Sequence, residues 1–315
     1  MIDISHVDGQ ADSSGRIGDL TVARVGYGAM QLADDVMTDD AVAVLRRAIE
    51  LGVNHIDTAS FYAGGQVNRR IREALAPYPD GLVIVSKVGA APATTGPIPF
   101  MAAQKPSQLR AAVEADLQQL GLDRIPVVNL RRLDLGPGLR AEGDQIVGLD
   151  DQLAEMIAMR DEGKIGAIGI SAVGADVLKR ALPAEIVCVQ NAYSLLDRST
   201  EATLELCEQE GIAWVPFFPL GSAFAGFPSV ADDPVVREVA DDIGVTPAQI
   251  GLAWLLAHSP KALLIGGTRS ISHLEQNMAA GEITLAADAV ARLDAVGGLP
   301  GEGRTGHGIE PLLSG

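Results

Sequence analysis

The segment Gly52-Val-Asn-His-Ile-Asp-Thr-Ala-Ser-Phe-Tyr62 ends an apolar run on an acid and brings a tyrosine in within one turn of loop. A second run, Leu82-Val-Ile-Val-Ser-Lys87, has the same layout and closes on a lysine. A carbonyl that accepts a hydride becomes an alkoxide and needs a proton as it forms, yet a free phenol with a pKa of ~10 is a poor donor at neutral pH. A neighbouring ammonium favours the phenolate and so eases proton release, while a carboxylate fixes the lysine and balances its charge. Singly, each group is ordinary, since an acid caps a turn, an aromatic packs and a lysine is solvated. Jointly, in the order strand, Asp, loop, Tyr, helix, strand, Lys, Asp57, Tyr62 and Lys87 read as a proton-donating tyrosine.

Such a reading requires a scaffold that gathers strand ends, and the rest of the chain has the pattern of one. Short apolar runs alternate with amphipathic stretches roughly eight times, the βα repeat of a parallel sheet. In a closed parallel barrel all strand ends face one mouth. Strands are expected at Val22–Gly26, Asn54–Asp57, Val83–Lys87, Val127–Arg131, Ile165–Ser171, Ile186–Gln190, Ala213–Pro216 and Leu263–Ile265. The clearest helices by apolar spacing are Asp40–Leu51, Ser107–Leu120, Leu149–Arg160, Thr200–Glu210 and Thr246–Ala257. Pro106-Ser107 and Thr246-Pro247 have the chemistry of helix starts. Asp12–Leu20 reads as a hairpin plugging the bottom of the barrel. The expected organisation is one domain over 1–315 with a flexible tail at about 300–315.

Composition narrows the function further. Twenty-four basic against forty-one acidic side chains give a net charge of −17 in 315 residues, which disfavours nucleic acid and anionic membrane as partners. No uncharged run reaches the ~18 residues of a spanning helix, and the first residues lack a signal-peptide pattern. A cytoplasmic protein is expected. Of the two cysteines, Cys188 lies in an apolar run and reads as a buried free thiol.

Two rival chemistries fail on spacing. A doubly wound dinucleotide fold needs G-x-G-x-x-G, but Gly26-Tyr-Gly28-Ala-Met30 is followed by Gln31. Zinc hydrolysis needs clustered ligands at strand ends, and the five histidines, His6, His55, His258, His273 and His307, show no such spacing. No metal is expected, and His55 is expected deeper in the barrel.

From about Gly26 to Ala280 the sequence resembles the aldo-keto reductases, NADPH-dependent carbonyl reductases on a (β/α)8 barrel, whose acid, tyrosine and lysine match Asp57, Tyr62 and Lys87. The resemblance implies NADPH as cofactor and a small carbonyl compound as substrate. It places Gly28, Ala29, Met30 and Asp57 against the cofactor, Ser171 and Gln190 on the nicotinamide carboxamide, with Asn191 also matching, and Phe217 in the ring-stacking place usually held by tyrosine. Leu220, Gly221 and Ser222 then supply the loop at the pyrophosphate. Thr268, Arg269 and Ser270, following Gly267, open a helix whose unpaired N–H groups and dipole favour a phosphate; the resemblance gives them the adenosine 2′-phosphate. His273 lies alongside and Gln276 with Asn277 face the adenine.

There are two departures from the family pattern. Its Ser-Asn pair is Ser171-Ala172 here, so one amide contact is missing. Its histidine at the end of the fourth strand is replaced in Ile125-Pro-Val-Val-Asn-Leu-Arg131 by Arg131, with Arg132 at the usual arginine. Arginine donates N–H to a carbonyl oxygen but does not titrate, which leaves Tyr62 as sole acid and Arg131 as an attractor for substrates with an anionic oxygen. The alternative is that Arg131 turns out to pair with Asp134 or another loop acid. The arginine variant resembles a bacterial subgroup that includes pyridoxal reductases. A broad aldehyde reductase, or a slow NADPH-binding redox-sensing subunit, are the other readings. Phe61, Phe100, Tyr193, the loops Gly89–Lys105, Leu133–Asp150 and Ala223–Asp233, and the tail are candidates to line the substrate pocket.

Overall fold

Val, Ile and Leu runs that are too short for helices form the wall of the molecule, and the longer amphipathic stretches cover it. The computed structural model describes residues 14–33, 36–93, 99–135, 139–221 and 228–296. The expected tail, the first residues of the hairpin and Ser222 lie outside them. The strands are β1 (Ser14–Ile17), β2 (Leu20–Ala23), β3 (Tyr27–Gly28), β4 (His55–Asp57), β5 (Val83–Val88), β6 (Ala90–Pro92), β7 (Phe100–Ala102), β8 (Ile125–Arg131), β9 (Ile165–Ser171), β10 (Ile186–Gln190) and β11 (Ala213–Trp214). The helices are α1 (Thr38–Glu50), α2 (Gln66–Leu75), α3 (Pro106–Leu120), α4 (Leu149–Asp161), α5 (Ala175–Ala181), α6 (Glu201–Glu210), α7 (Pro234–Ile243), α8 (Pro247–His258), α9 (Ile271–Ala279) and α10 (Ala287–Asp294).

Seven strands make one sheet in the order β11-β10-β9-β8-β5-β4-β3, with all pairings parallel. The segment around Leu264 closes it. Gly26 N donates to Leu264 O and Leu264 N to Arg24 O, each at 2.8 Å, while on the other side Leu263 N donates to Trp214 O at 2.8 Å. The fold is therefore the expected (β/α)8 barrel. No described helix is long and apolar enough to cross a membrane.

The first barrel strand starts later than the expected Val22–Gly26. Val22 pairs with Gly15 in an antiparallel β1–β2 hairpin, and the wall begins only at Val25, which bridges Leu264. Apolar positions continue from Leu20 through Val22 to Val25 with no turn residue between the two elements, so the sequence does not reveal the break. The described hairpin, Ser14–Ala23, runs three residues past the expected Asp12–Leu20 and packs on the floor, where Ile17 and Val22, each 1% exposed, meet Val83, Val127, Ala213 and Leu263. Burial inside the barrel also explains His55, 1% exposed at the start of β4. Its ring abuts Gly26, and desolvation lowers its pKa to about 4, so it is a neutral core side chain.

Helix starts follow local chemistry. Thr246 and Gln249 cap α8 reciprocally, Gln249 N donating to Thr246 Oγ1 at 3.3 Å and Thr246 N to Gln249 Oε1 at 3.0 Å. At α3 the residue before Pro106 is Lys105, whose N donates to Gln108 Oε1 at 3.0 Å, so Ser107 sits in the first turn instead of capping. α2 escaped the apolar pattern because its buried face includes Asn68 and Arg70. Arg70 donates to Leu32 O, Ala33 O and Val36 O, and so fastens the loop after the first barrel strand.

Candidate active site

Asp57 and Lys87 end the adjacent strands β4 and β5, and each is 3% exposed. Lys87 Nζ donates to Asp57 Oδ1 and, at 3.2 Å, to Thr58 O. Gln190 Nε2, at the end of β10, donates to Asp57 Oδ2 at 2.6 Å. Three strands separate β4 from β10 in the sheet order, so this bond crosses the barrel mouth and engages the second carboxylate oxygen. Burial works against the Lys87 ammonium, but the charge of Asp57 and the oxygens of Asp57 and Tyr62 outweigh it and hold Lys87 above the ordinary lysine value. Tyr62 opens a short turn after β4 and is 6% exposed, with Lys87 Nζ 5.1 Å from its ring centroid. Phe61 and Phe100 pack edge-on beside it, 5.1 Å apart by centroid. Barrel geometry thus brings together three groups that the sequence separates.

Arg131 ends β8 in register with Ser171 on β9. It does not turn out to Asp134. That pairing belongs to Arg132, whose Nε donates to Asp134 Oδ2 at 2.7 Å. Arg131 instead holds its guanidinium carbon 5.7 Å from the Phe217 ring centroid. Burial lowers its pKa, opposed by the charges of Tyr62 and Asp57, and it stays a cation at neutral pH.

Among the described residues, three buried polar atoms around this opening have no protein partner: Arg131 Nε, Ser171 Oγ and Gln190 Oε1. Buried polar groups are normally bonded. A carboxamide carries two N–H donors and one acceptor oxygen, which is what a hydroxyl, an amide oxygen and a guanidinium complement. The residues therefore fit the carboxamide that the family resemblance implies. Ala172, at the position where the resembling family has asparagine, has φ 58°, a left-handed conformation that asparagine adopts more readily than alanine. Its backbone is held by Ala172 N donating to Gln190 O at 3.0 Å. Asn191 is occupied elsewhere, since Val173 N donates to its Oδ1 at 3.1 Å and its Nδ2 donates to Val173 O at 2.7 Å.

The remaining cofactor candidates fall in three segments of the chain. Phe217 N donates to Asn191 O at 2.9 Å, and Leu220 and Gly221 continue that loop. Gly28 and Ala29 are buried and Met30 is 39% exposed. Gly28 lies against the closing segment around Leu264 so tightly that a Cβ would be 2.5 Å from Ile265 O, and a Cβ on Gly267 would in turn be 2.8 Å from Gly28 O. Tyr27 Oη donates to Thr268 O at 2.5 Å. Ser270 caps α9, accepting from His273 N at 3.4 Å, and its own N donates to Thr268 Oγ1 at 3.0 Å. Arg269 and His273 are exposed, and Gln276 and Asn277 half-buried, along this helix start.

Tyr193 does not line the pocket. It is 1% exposed, packs on Trp214 and Trp254, and its hydroxyl meets Glu201 and His258. Sequence reasoning also missed Gln104, whose Nε2 donates to Gly89 O at 2.6 Å and Arg131 O at 2.7 Å. A lone glutamine in a loop carries no signal of that task. Among the described residues no group of three or more His, Cys, Asp or Glu is placed to hold a metal ion.

Comparison with known proteins identifies the family of the chain. The sequence model of the aldo/keto reductase family matches residues 24–297. The chain is 41% identical over 287 residues to pyridoxine 4-dehydrogenase of Escherichia coli strain K12, covering 89% of this chain and 96% of that protein. It is 36% identical over 302 residues to an uncharacterized oxidoreductase of Schizosaccharomyces pombe, covering 93% of this chain and 92% of that protein. Among solved structures, an aldo/keto reductase from Klebsiella pneumoniae in complex with NADP and acetate superposes with a TM-score of 0.74 at 28% identity, over 90% of this chain and 95% of that one.

Proposed function

The chain belongs to the aldo/keto reductase family, and from that premise we propose that it reduces the carbonyl group of a small aldehyde or ketone with NADPH, Tyr62 delivering the proton. The observation that carries this reading is the buried Lys87–Asp57 pair with its ammonium 5.1 Å from the Tyr62 ring. NADPH, when bound, supplies the hydride. Ser171 and Gln190 would hold its carboxamide and Phe217 its ring. Leu220, Gly221 and Ser222 would meet the pyrophosphate, and Thr268, Arg269 and Ser270 at the start of α9 the 2′-phosphate. Tyr62 then donates its proton to the oxygen that becomes the alcohol, and the Lys87 ammonium stabilises the phenolate left behind.

The substrate we infer is pyridoxal. The relative named pyridoxine 4-dehydrogenase supports it, and so does Arg131, a fixed cation at the mouth suited to the ionisable phenolic oxygen beside that aldehyde. The test is a panel of carbonyl compounds with NADPH or NADH, followed at 340 nm. Strong preference for pyridoxal with NADPH is expected. Similar efficiency across many aldehydes would replace this substrate with a broad aldehyde reductase, and no oxidation with any of them would remove the catalytic reading.

A further inference from the structure

Outside the barrel wall, between the ends of β4 and β5 and the helices α2 and α3, a single carboxylate ties together the neighbours of the ion pair. Asp116 on α3 is 0% exposed. Ser86 Oγ donates to its Oδ2 at 2.7 Å and Asn68 Nδ2 to its Oδ1 at 2.6 Å. Asn68 Oδ1 accepts from Thr58 Oγ1 at 2.6 Å, and Asn68 Nδ2 also reaches Gln119 Oε1 at 2.9 Å. Ser86 immediately precedes Lys87, and Thr58 immediately follows Asp57. Successive residues of a strand point to opposite faces, so while Lys87 and Asp57 meet at the mouth, their neighbours are joined from outside.

We propose that Asp116 is a positioning residue for the Lys87–Asp57 pair, clamping the two strand ends through Ser86 and through Asn68 and Thr58; this role rests on the reading of Lys87 and Tyr62 as the proton-delivering groups. A clamp of neutral amides would hold the same shape without desolvating a charge, which is unfavourable when no cation touches it. What the carboxylate adds is a field at the lysine. Lys87 on β5 is the charge that acts on Asp116, with the Asp57 carboxylate beyond it on β4. Arg69 and Arg72 of α2 lie at a surface depression with Gln118 and Gln119, and Arg110 of α3 itself is paired with Glu155 and Glu162. Burial raises the Asp116 carboxyl to about 7, with the bonds from Ser86 and Asn68 and the charge of Lys87 opposing. The clamp therefore changes charge near neutral pH.

Two variants separate shape from charge. Asp116→Asn keeps an oxygen for Asn68 and turns an amide toward Ser86 Oγ, whereas Asp116→Ala removes the clamp. In the full-length protein, Asp116→Ala should lower kcat roughly tenfold or more with NADPH affinity within about twofold of wild type. Asp116→Asn should recover most of that loss. Its kcat profile should also lack the inflection that the wild type shows near the Asp116 value of about 7. If both variants lose only thermal stability, with kcat and profile unchanged, Asp116 is a packing residue and the proposal falls. Should Asp116→Ala not fold, Ser86→Ala serves instead. It removes a bond that favours the carboxylate, so the inflection should move to higher pH, and an unmoved inflection overturns the proposal. One readout is independent of turnover: in protein labelled with 15N-lysine, the Lys87 Nζ signal, identified by its loss in Lys87→Met, should titrate with the Asp116 midpoint in wild type and not in Asp116→Asn. A flat signal in both overturns the proposal even in an active enzyme. Tyr62→Phe is assayed alongside; if it stays active, the reading of Tyr62 fails while the lysine signal still judges Asp116.

Discussion

At the residue scale, the site divides into groups that the sequence declared and groups that it concealed. Asp57, Tyr62 and Lys87 were legible because strand ends and residue types coincided. If Tyr62 is the acid, Tyr62→Phe should keep NADPH affinity, measured by fluorescence quenching, and lose roughly 10²–10⁴-fold in turnover. Near-normal turnover would sink the assignment. Arg131 was legible in position but not in direction, since nothing in Arg131-Arg132-Leu133-Asp134 says which arginine takes the aspartate. The structure gives Asp134 to Arg132 and leaves Arg131 beside Phe217. An arginine that donates to the developing alkoxide is partly replaced by another donor and not by an apolar side chain, so Arg131→His should retain more activity than Arg131→Met. Loss of a charged hydrogen bond of ~1.5–3 kcal/mol corresponds to a fall of roughly tenfold or more in kcat/KM for Arg131→Met, largest for substrates with an anionic oxygen beside the aldehyde. A change within about twofold on both pyridoxal and a neutral aromatic aldehyde, where ~0.4 kcal/mol is at stake, would place Arg131 outside the catalytic shell.

At the element scale, interior strands were readable because both of their faces are buried, so that Ile165–Ser171 and Ile186–Gln190 appear as continuous apolar runs with the boundaries observed. The first strand was misplaced because the hairpin shares its stretch, and α2, expected only as a helix somewhere between Tyr62 and the strand ending at Lys87, showed no clear apolar period because Arg70 and Asn68 are buried for hydrogen bonding, which periodicity cannot foresee. Close approaches between elements are equally silent in sequence. Gly89, at the exit of β5, has φ 106°, and a Cβ there would stand 2.2 Å from Arg131 O, on the strand β8 next to it. Backbone cannot yield as a flexible side chain does, and a left-handed region this extended is strained for any residue with a Cβ. Gly89→Ala should therefore destabilise the fold by about 2 kcal/mol or more and displace the strand end that carries Arg131. Thermal denaturation with kcat/KM checks both parts; an alanine variant with wild-type stability would show that the two strand ends separate freely.

At the scale of the whole molecule, two buried titratable groups act on stability in opposite directions, and their opposition is testable. The Asp116 carboxyl is raised from 3.8 to about 7 by burial. The folded state then binds the proton more readily than the unfolded chain, so its contribution is fully present below about 4 and is lost as pH rises through about 7. His55 is lowered from 6.5 to about 4 by burial. The unfolded chain takes up that proton first, so its contribution is present above 6.5 and is lost as pH falls through about 4. At 1.36 kcal/mol per unit these are upper bounds of ~4 and ~3 kcal/mol, large against a typical net stability of ~5–15 kcal/mol. Between pH 4 and 7 they largely offset each other, which neither residue reveals by itself in the sequence. Asp116→Asn removes one side of the balance. Its melting temperature relative to wild type should rise by several degrees between pH 4.5 and 8, and on acidification the variant should lose stability more steeply because His55 then acts alone. All other carboxylates are common to both proteins, so the difference between the two curves isolates Asp116; a difference that stays constant across this range would mean that the Asp116 carboxyl does not titrate there.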